Sequence, residues 1–226
     1  WIRTQYVGDD TKGNTYFVAD DVESLRYLAN LASIPLHVWA SRVTTLDAPD
    51  WCVIDLDPKE APFSSVVAVA KEIKQVCDAM DIPCYPKTSG KTGLHVLIPM
   101  GPNFLYDQQK LLGELVARVV ESRTRDIATT IRNPRKRDGK VYLDYLQNGR
   151  GKLIVSPYSV RPVPGATVSA PLRWSEVTPS LDVHRFTIRS LPKRIASMKG
   201  DPILPLLSER PDIKAGLRYL AQEFSG

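Results

Sequence analysis

The stretch Trp51-Cys52-Val53-Ile54-Asp55-Leu56-Asp57-Pro58 predicts a buried β-strand that ends in two aspartates. Residues two apart in a strand point to the same face, so Asp55 and Asp57 should project side by side. Pro58 cannot donate to a sheet ladder and should end the strand. Two like charges this close stay ionised at low cost only beside a cation or strong donors. The pair is therefore a candidate Mg²⁺ or Mn²⁺ site, although two solvated acids at a strand end fit the spacing equally well.

Composition sets wide limits on the fold and on the partners. The chain has 226 residues, is 43% hydrophobic and 24% charged, and we expect one domain spanning 1–226. Its net charge of +5 permits a nucleic-acid partner without requiring one. No apolar stretch is long enough to cross a bilayer, so we expect no membrane partner. Because the chain opens on Trp1 rather than Met, we expect that it is truncated at its N-terminus.

The three cysteines argue against a zinc site and against a disulfide framework. Cys52, Cys77 and Cys84 show no C-x-x-C spacing, and the chain has only three histidines. Cys52 and Cys77 lie in apolar segments, which is typical of buried thiols in a reducing compartment.

Apolar periodicity predicts helices that alternate with strands. Helical stripes cover about 63–80 and 107–124, and strands are predicted at 51–57, 94–99 and 141–146. Residues 1–18 predict a hairpin, and Lys152–Ser156 should return beside 141–146 as a second hairpin. Helices between strands indicate an α/β or α+β sheet with helices packed on it.

Asp144 supplies a third carboxylate, in the middle of the predicted strand 141–146. A carboxylate there must be paired, metal-bound or solvated on an open face. If it joins Asp55 and Asp57 on one sheet face, the three carboxylates can hold two divalent ions. That arrangement suits in-line displacement at phosphorus.

A short loop and several basic residues offer partners for phosphate. Ser89-Gly90-Lys91-Thr92-Gly93-Leu94-His95 combines small residues, hydroxyls and a cation, although a plain glycine-rich turn has the same composition. It leads into a strand and lacks Walker A spacing, so it is not a P-loop. Further cations come from Arg150, Lys152, Arg161 and Arg173. The basic run 132–140 is either a solvated turn or a DNA contact, with Arg132, Arg135, Lys136 and Arg137 as candidates.

Six segments, in this order, resemble the polymerase domain of bacterial ATP-dependent DNA ligase D, a member of the archaeo-eukaryotic primase superfamily. They are Leu36–Trp39, Val53–Pro58, Lys87–Val96, Asp144–Asn148, Pro157–Arg161 and Ala170–Trp174. The resemblance implies an α+β fold with a primase-like catalytic core, a mixed β-sheet and flanking helices.

The same resemblance implies template-directed nucleotidyl transfer at DNA ends or gaps in non-homologous end joining. It implies a ribonucleotide preference and two divalent ions, Mn²⁺ or Mg²⁺. Implied partners are template-primer DNA, an NTP or dNTP, ligase and nuclease modules, and a Ku-like protein, in the bacterial cytoplasm at the nucleoid. The implied metal ligands are Asp55, Asp57 and Asp144, and the implied nucleotide-binding residues are His37, Ser89, Lys91, His95, Lys152 and Arg161. Family members also carry a segment ahead of the position of Trp1 that contacts the downstream 5′-phosphate and the incoming base, and no residues here match it.

Three other functions remain open. A primase that starts chains de novo would have the same active site. A phosphodiesterase or nuclease could use three aspartates and two ions to activate water, although the Ser89–His95 loop favours a triphosphate. A non-catalytic module that bridges DNA ends would have no use for three clustered acids, whose burial costs stability.

Overall fold

A computed structural model describes residues 1–8 and 12–223. The strands are β1 (Thr4–Gly8), β2 (Gly13–Phe17), β3 (His37–Val38), β4 (Trp51–Asp57), β5 (Tyr85–Thr88), β6 (Leu94–Pro99), β7 (Ala128–Thr129), β8 (Val141–Asp144) and β9 (Ile154–Val155). The α-helices are α1 (Val22–Asn30), α2 (Phe63–Ala79), α3 (Tyr106–Arg123), α4 (Leu191–Ser197) and α5 (Ile213–Glu223). Short 3₁₀ turns lie at Val43–Thr45, Pro134–Lys136, Trp174–Glu176, Val183–Arg185 and Leu204–Leu207.

A five-stranded mixed sheet forms the centre, in the order β5-β6-β4-β8-β7. Every neighbouring pair is antiparallel except β7 with β8, which is parallel. Two small ribbons accompany this sheet: β1 pairs with β2, and β3 pairs with β9, both antiparallel. The mixed sheet with flanking helices confirms the predicted α+β class.

The two faces of β4 divide the protein into a core side and a functional side. Cys52, Ile54 and Leu56 point to one face and are fully buried against α2 and α3. That apolar face explains why both helices formed where their stripes predicted, within one residue at each end. Asp55 and Asp57 point to the other face, which carries no α-helix over its polar end.

The predicted hairpin of 141–146 with 152–156 is wrong. The strand β8 ends at Asp144, and the later segment pairs with β3 instead, where His37 lies opposite Val155. Beyond Asp144, the side chain of Asn148 makes the hydrogen bonds to β4 that a neighbouring strand would otherwise make. Its Oδ1 accepts from the Val53 N–H at 2.8 Å, and its Nδ2 donates to the Val53 carbonyl at 2.7 Å. Asp144 therefore lies at the end of its strand rather than in the middle.

The expectations for the N-terminal hairpin and for the cysteines agree with the structure. The hairpin within 1–18 is present, apart from residues 9–11, which lie outside the described part. All three cysteines are buried and free. Within the described ranges, no helix combines the length and apolar character that a membrane span requires.

Candidate active site

A cavity of about 420 Å³ opens on the functional face of the sheet. It is lined by every predicted metal-ligating and nucleotide-binding residue except Lys152, namely Asp55, Asp57, Asp144, His37, Ser89, Lys91, His95 and Arg161. Lys152 is exposed and lies in the turn before β9, whose residues Ile154 and Val155 line the cavity in its place.

Four polar residues form a straight row across four strands of the sheet. Lys87 of β5 lies opposite His95 of β6, His95 lies opposite Asp55 of β4, and Asp55 lies opposite Asp144 of β8. Residues opposite one another in a sheet share a face, so all four side chains project toward the cavity side. The strand pairing thus fixes the positions of these four side chains relative to one another.

Asp55 lies where its negative charge is unfavourable. Its side chain is only 25% exposed, and its Oδ1 lies 3.4 Å from Nε2 of His95. Burial, and then repulsion by Asp144 and Asp57, raise the pKa of Asp55 to about 7, against the attraction of Lys87 and Arg161. A cation bound beside these acids would relieve both costs, so the donor chemistry fits a hard divalent ion.

Asp57 is paired with a buried arginine. Nη1 of Arg137 donates to its Oδ2 at 3.2 Å, and the guanidinium carbon of Arg137 lies 3.8 Å from the ring centroid of Tyr142. The remaining donors of Arg137 bind the carbonyls of Ile131 and Arg132. At 7% exposure Arg137 is largely buried and lines the cavity beside Asp57. The other three candidates of the basic loop, Arg132, Arg135 and Lys136, are exposed.

Asp144 is held by its own loop. Its Oδ1 accepts from the Leu146 N–H at 2.9 Å and from the Tyr142 hydroxyl at 3.3 Å, and its Oδ2 accepts from Gln147 Nε2 at 3.0 Å. The three carboxylates thus share a cavity while each binds different partners. Among residues 1–8 and 12–223, no three acidic, histidine or cysteine side chains are arranged as a ready metal centre.

The Ser89–His95 loop is closed by the Ser89 side chain. Its Oγ accepts from the N–H groups of Lys91 at 3.2 Å and Gly93 at 3.1 Å, and its own N–H donates to the Gly93 carbonyl. A Cβ on Gly93 would lie 2.0 Å from the carbonyl oxygen of Leu56, so only glycine fits between the loop and β4. Lys91 is left exposed at the rim, where its cation can meet an anionic ligand.

His37 and Arg161 meet beside this loop, where the Arg161 side chain packs against Gly90. Nη1 of Arg161 lies 3.3 Å from Nε2 of His37. Burial, and then repulsion by Arg161, lower the pKa of His37, which therefore accepts a hydrogen bond from the guanidinium as a neutral ring. The Nε of Arg161 is buried without a hydrogen-bond partner in the described residues. A guanidinium with spare donors at a cavity wall suits a phosphate oxygen.

The structure adds residues to the site that the sequence did not single out. Lys87 lies directly behind His95, and its Nζ is 2.9 Å from His95 Nδ1. Burial lowers the pKa of Lys87 to about 7, and burial followed by repulsion from Lys87 lowers that of His95 well below its ordinary value. Gln147 and Tyr142 line the cavity through their contacts with Asp144. Lys87 was part of a segment that carries the family resemblance, which was the one available signal.

Two of the remaining basic residues are used elsewhere. Arg150 pairs with Asp47 at 2.8 Å, and Arg173 donates to the carbonyls of Lys199 and Gly200. Neither lines the cavity.

Known proteins share this sequence and this fold. A family model described as the LigD primase-polymerase domain matches residues 1–203. The bifunctional non-homologous end joining protein LigD of Bacillus subtilis is 37% identical over 182 residues, covering 80% of this chain and 30% of that protein. The multifunctional LigD of Pseudomonas aeruginosa is 30% identical over 198 residues, covering 87% of this chain and 24% of that protein.

A solved structure agrees with these relatives. The polymerase domain of Mycobacterium tuberculosis ligase D, in complex with DNA, superposes with a TM-score of 0.84 at 26% identity, covering 93% of this chain and 76% of that one. The cavity with its aspartates and cations therefore lies in a fold already known to carry polymerase activity. The chain belongs to the LigD primase-polymerase domain family, which is a family of DNA-directed nucleotidyltransferases.

Proposed function

We propose that residues 1–226 form one catalytic domain that extends DNA ends or fills gaps by template-directed nucleotidyl transfer, with a preference for ribonucleotides. The observation that carries this proposal is the single cavity that three aspartates share with Ser89, Lys91, His95 and Arg161. Acids that suit divalent ions face cations that suit phosphates, and nucleotidyl transfer needs both.

Asp55, Asp57 and Asp144 would hold two divalent ions, Mn²⁺ or Mg²⁺. When bound, such ions supply Lewis-acid stabilisation of the charge that develops on the phosphates. Asp55 would gain from such an ion, because burial and the neighbouring acids disfavour its charge. Asp57 and Asp144 would bind the ions beside their contacts with Arg137 and Gln147.

The opposite wall would bind the triphosphate. Arg161 offers its guanidinium charge, Lys91 offers an exposed ammonium at the rim, and Ser89 and Thr92 offer hydroxyls. His37 fixes the Arg161 guanidinium from one side. Lys152, which lies outside the cavity, would reach only a part of the nucleotide that extends beyond it.

DNA would follow the exposed basic loop beside the cavity. Arg132, Arg135 and Lys136 are free to contact backbone phosphates, which would give salt-dependent affinity without sequence preference. The M. tuberculosis polymerase domain was solved in complex with DNA, which supports DNA as the partner here. Template-primer DNA would present its 3′ end to Asp55.

The biological setting we propose is bacterial non-homologous end joining, at the nucleoid. The chain spans 30% of the B. subtilis relative and 24% of the P. aeruginosa relative, and both are non-homologous end joining proteins. Ligase and nuclease modules and a Ku-like end-binding protein are the partners that such a domain would serve.

De novo priming remains the second candidate, since it needs the same cavity. The test is extension of a primer on a gapped duplex with Mn²⁺, comparing NTP with dNTP and including a reaction without primer. Asp144→Ala should abolish extension, whereas Asp78→Ala, on the far side of the sheet in α2, should not. Products without primer would establish priming. Cleavage of the duplex by the wild type, or DNA binding without any synthesis, would instead favour a nuclease or a bridging module.

A further inference from the structure

Lys87 is the most deeply buried charged side chain in the site, with no exposed surface at all. Burying a lysine is costly unless its hydrogens are satisfied. Its two hydrogen-bond partners are Ser169 Oγ at 2.6 Å and His95 Nδ1 at 2.9 Å, and neither is a carboxylate. The side chain therefore makes no direct ion pair, and its closest contacts are with these two residues.

The donor and the acceptor of each hydrogen bond can be assigned one after the other, starting from Ser169. The Ser169 hydroxyl donates to the carbonyl of Thr88 at 2.8 Å, so its oxygen is an acceptor for Lys87. As an ammonium, Lys87 carries three hydrogens and no lone pair, so it can only donate to His95 Nδ1. An imidazolium would turn Nδ1–H toward that donor, so the ring beside Lys87 is neutral and its Nδ1 accepts. The single ring proton must then reside on Nε2.

Nε2, the other ring nitrogen of His95, faces the cavity. Nε2 of His95 lies 3.4 Å from Oδ1 of Asp55, and His95 lines the cavity. That distance is long for a hydrogen bond, so the Nε2–H is available to an anionic oxygen that enters the cavity. A protonated nitrogen has no lone pair for a metal ion.

We propose that Lys87 is a positioning residue that holds His95 in the Nε2–H tautomer, so that His95 donates a hydrogen bond to a phosphate oxygen of the bound nucleotide and is not a metal ligand. The donor half of this inference rests on the proposed function, and the tautomer half does not. The arrangement follows a general pattern, because a histidine's working nitrogen is set by the partner of the other one.

A purely structural role for Lys87 makes a different prediction. Through Ser169 and the bridge from Lys87 to Pro171, the side chain could simply attach β5 to residues 169–171. Loss of such an attachment would lower stability without selecting a tautomer or a nucleotide contact. The experiment must therefore read out the ring of His95 directly.

The first measurement is the ring nitrogen spectrum of histidine in the ¹⁵N-labelled wild-type chain. The chain has three histidines, so comparison with His95→Gln assigns the His95 signals by their disappearance. We expect a ring whose proton is on Nε2 and whose Nδ1 carries none. An Nδ1–H tautomer in the wild type would overturn the proposal without recourse to any variant.

The second measurement compares Lys87→Met with Lys71→Met, which makes the same change at an exposed position of α2. Both variants are first shown to unfold cooperatively. In Lys87→Met we expect a mixture of His95 tautomers, a Kd for UTP with Mn²⁺ that rises about 10- to 100-fold, and a KM that rises with it. Lys71→Met should match the wild type in all three. Unchanged UTP affinity and an unchanged tautomer in Lys87→Met would overturn the proposal.

The two proposals fail in different ways. If the wild type synthesises no product yet binds UTP in a Lys87-dependent manner with the Nε2–H tautomer, the proposed function fails and this inference stands. If synthesis is robust but His95 is an Nδ1–H tautomer, the inference fails and the proposed function stands.

Discussion

Asp55 lies directly opposite Asp144 in the antiparallel pairing of β4 with β8, so two carboxylates share one face of neighbouring strands. A sheet normally avoids like charges at such positions, because they destabilise the pair. Here the cost is visible in Asp55, since burial and then repulsion by Asp144 and Asp57 raise its pKa to about 7. The protein keeps an arrangement that is unfavourable in the absence of a cation.

Replacing Asp144 should therefore separate stability from function. Asp144→Asn retains an oxygen that can accept from the Leu146 N–H but removes the charge that repels Asp55. We expect the metal-free variant to be more stable than the wild type by on the order of 1 kcal/mol, the worth of about one pKa unit. Primer extension should fall at least about 10²- to 10³-fold. Urea unfolding in EDTA and extension assays test both, with Asp78→Asn as the control. Retained synthesis would remove Asp144 from the catalytic set.

Divalent ions should stabilise the wild type but not a variant that lacks one of the three cavity aspartates. At a concentration about 100 times its Kd, a ligand that binds only the folded chain adds about 2.7 kcal/mol to the free energy of unfolding. We expect Mn²⁺ to raise the thermal midpoint of the wild type and of Asp78→Asn, and EDTA to reverse the effect. Asp55→Asn should lose most of the gain. Equal stabilisation of Asp55→Asn would place the ion elsewhere.

Arg161 should control nucleotide affinity. Arg161→Gln removes the charge beside His37 and the buried unpartnered Nε, while retaining a polar side chain. A hydrogen bond to a charged group is worth about 1.5–3 kcal/mol, so we expect the KM for NTP to rise about 10- to 100-fold. Arg150→Gln, which loses only an exposed pair with Asp47, is the matched control. Steady-state kinetics at fixed DNA measure both variants, and an unchanged KM in Arg161→Gln would contradict the assignment.

The Glu176–Arg194 pair should contribute a pH-dependent part of the stability. Arg194 binds both carboxylate oxygens of Glu176, at 2.6 and 2.8 Å. Burial alone would raise the pKa of Glu176, but the hydrogen bonds from Arg194 and from the Arg173 N–H outweigh it and lower the pKa below 4.5. A lowered acid pKa favours the folded state above the unfolded value, and this contribution is lost as the pH falls through the folded value.

Glu176→Gln should therefore be less stable than the wild type at pH 7, by about 1–3 kcal/mol. The difference should shrink as the pH falls from about 5 toward 3, where the wild-type carboxylate becomes protonated. Urea unfolding of both proteins across that range measures it. A difference that stays constant with pH would show that the charge of Glu176 does not contribute.

Asn148 should be a large contributor to stability for a single polar side chain. It makes two buried hydrogen bonds to the backbone of Val53 and a third, partly buried, to the Tyr145 carbonyl at 2.8 Å. Asn148→Ala leaves the two Val53 groups unsatisfied, at about 1–3 kcal/mol each, so a loss of about 2–6 kcal/mol is expected. Asn133→Ala removes one bond in an exposed turn and should cost under about 1 kcal/mol. Urea unfolding measures the free energy of unfolding of both variants, and similar losses in the two would contradict the role of Asn148.

The local sequence pattern was sufficient to predict much of the fold. The stripes of α2 and α3 and the strand β4 with its paired acids follow from side-chain periodicity, which one segment contains entirely. The resemblance to the ligase D polymerase domain supplied the cavity residues, and all of them except Lys152 line one cavity.

The errors concern relationships between distant segments. Nothing in residues 147–156 reveals that β9 pairs with β3, because Asn148 replaces a strand partner through its side chain rather than through its backbone. Arg137 resembles its exposed neighbours in sequence, and only the tertiary contact with Tyr142 and Asp57 distinguishes it. The contact of Lys87 with His95 could not be predicted, because it depends on which residue of β6 lies opposite.

The row from Lys87 to Asp144 also links chemistry to correct assembly of the sheet. A shift of one residue in the pairing of any two of these strands turns one strand's side chains to the opposite face. For β4, Asp55 would then enter the apolar layer beneath α2 and α3, and Ile54 or Leu56 would replace it at the cavity. A misassembled molecule would thus be both inactive and unstable, and would not persist as a folded competitor for broken DNA. The polar site and the apolar core therefore require the same strand register, so a catalytically competent molecule has its sheet correctly paired.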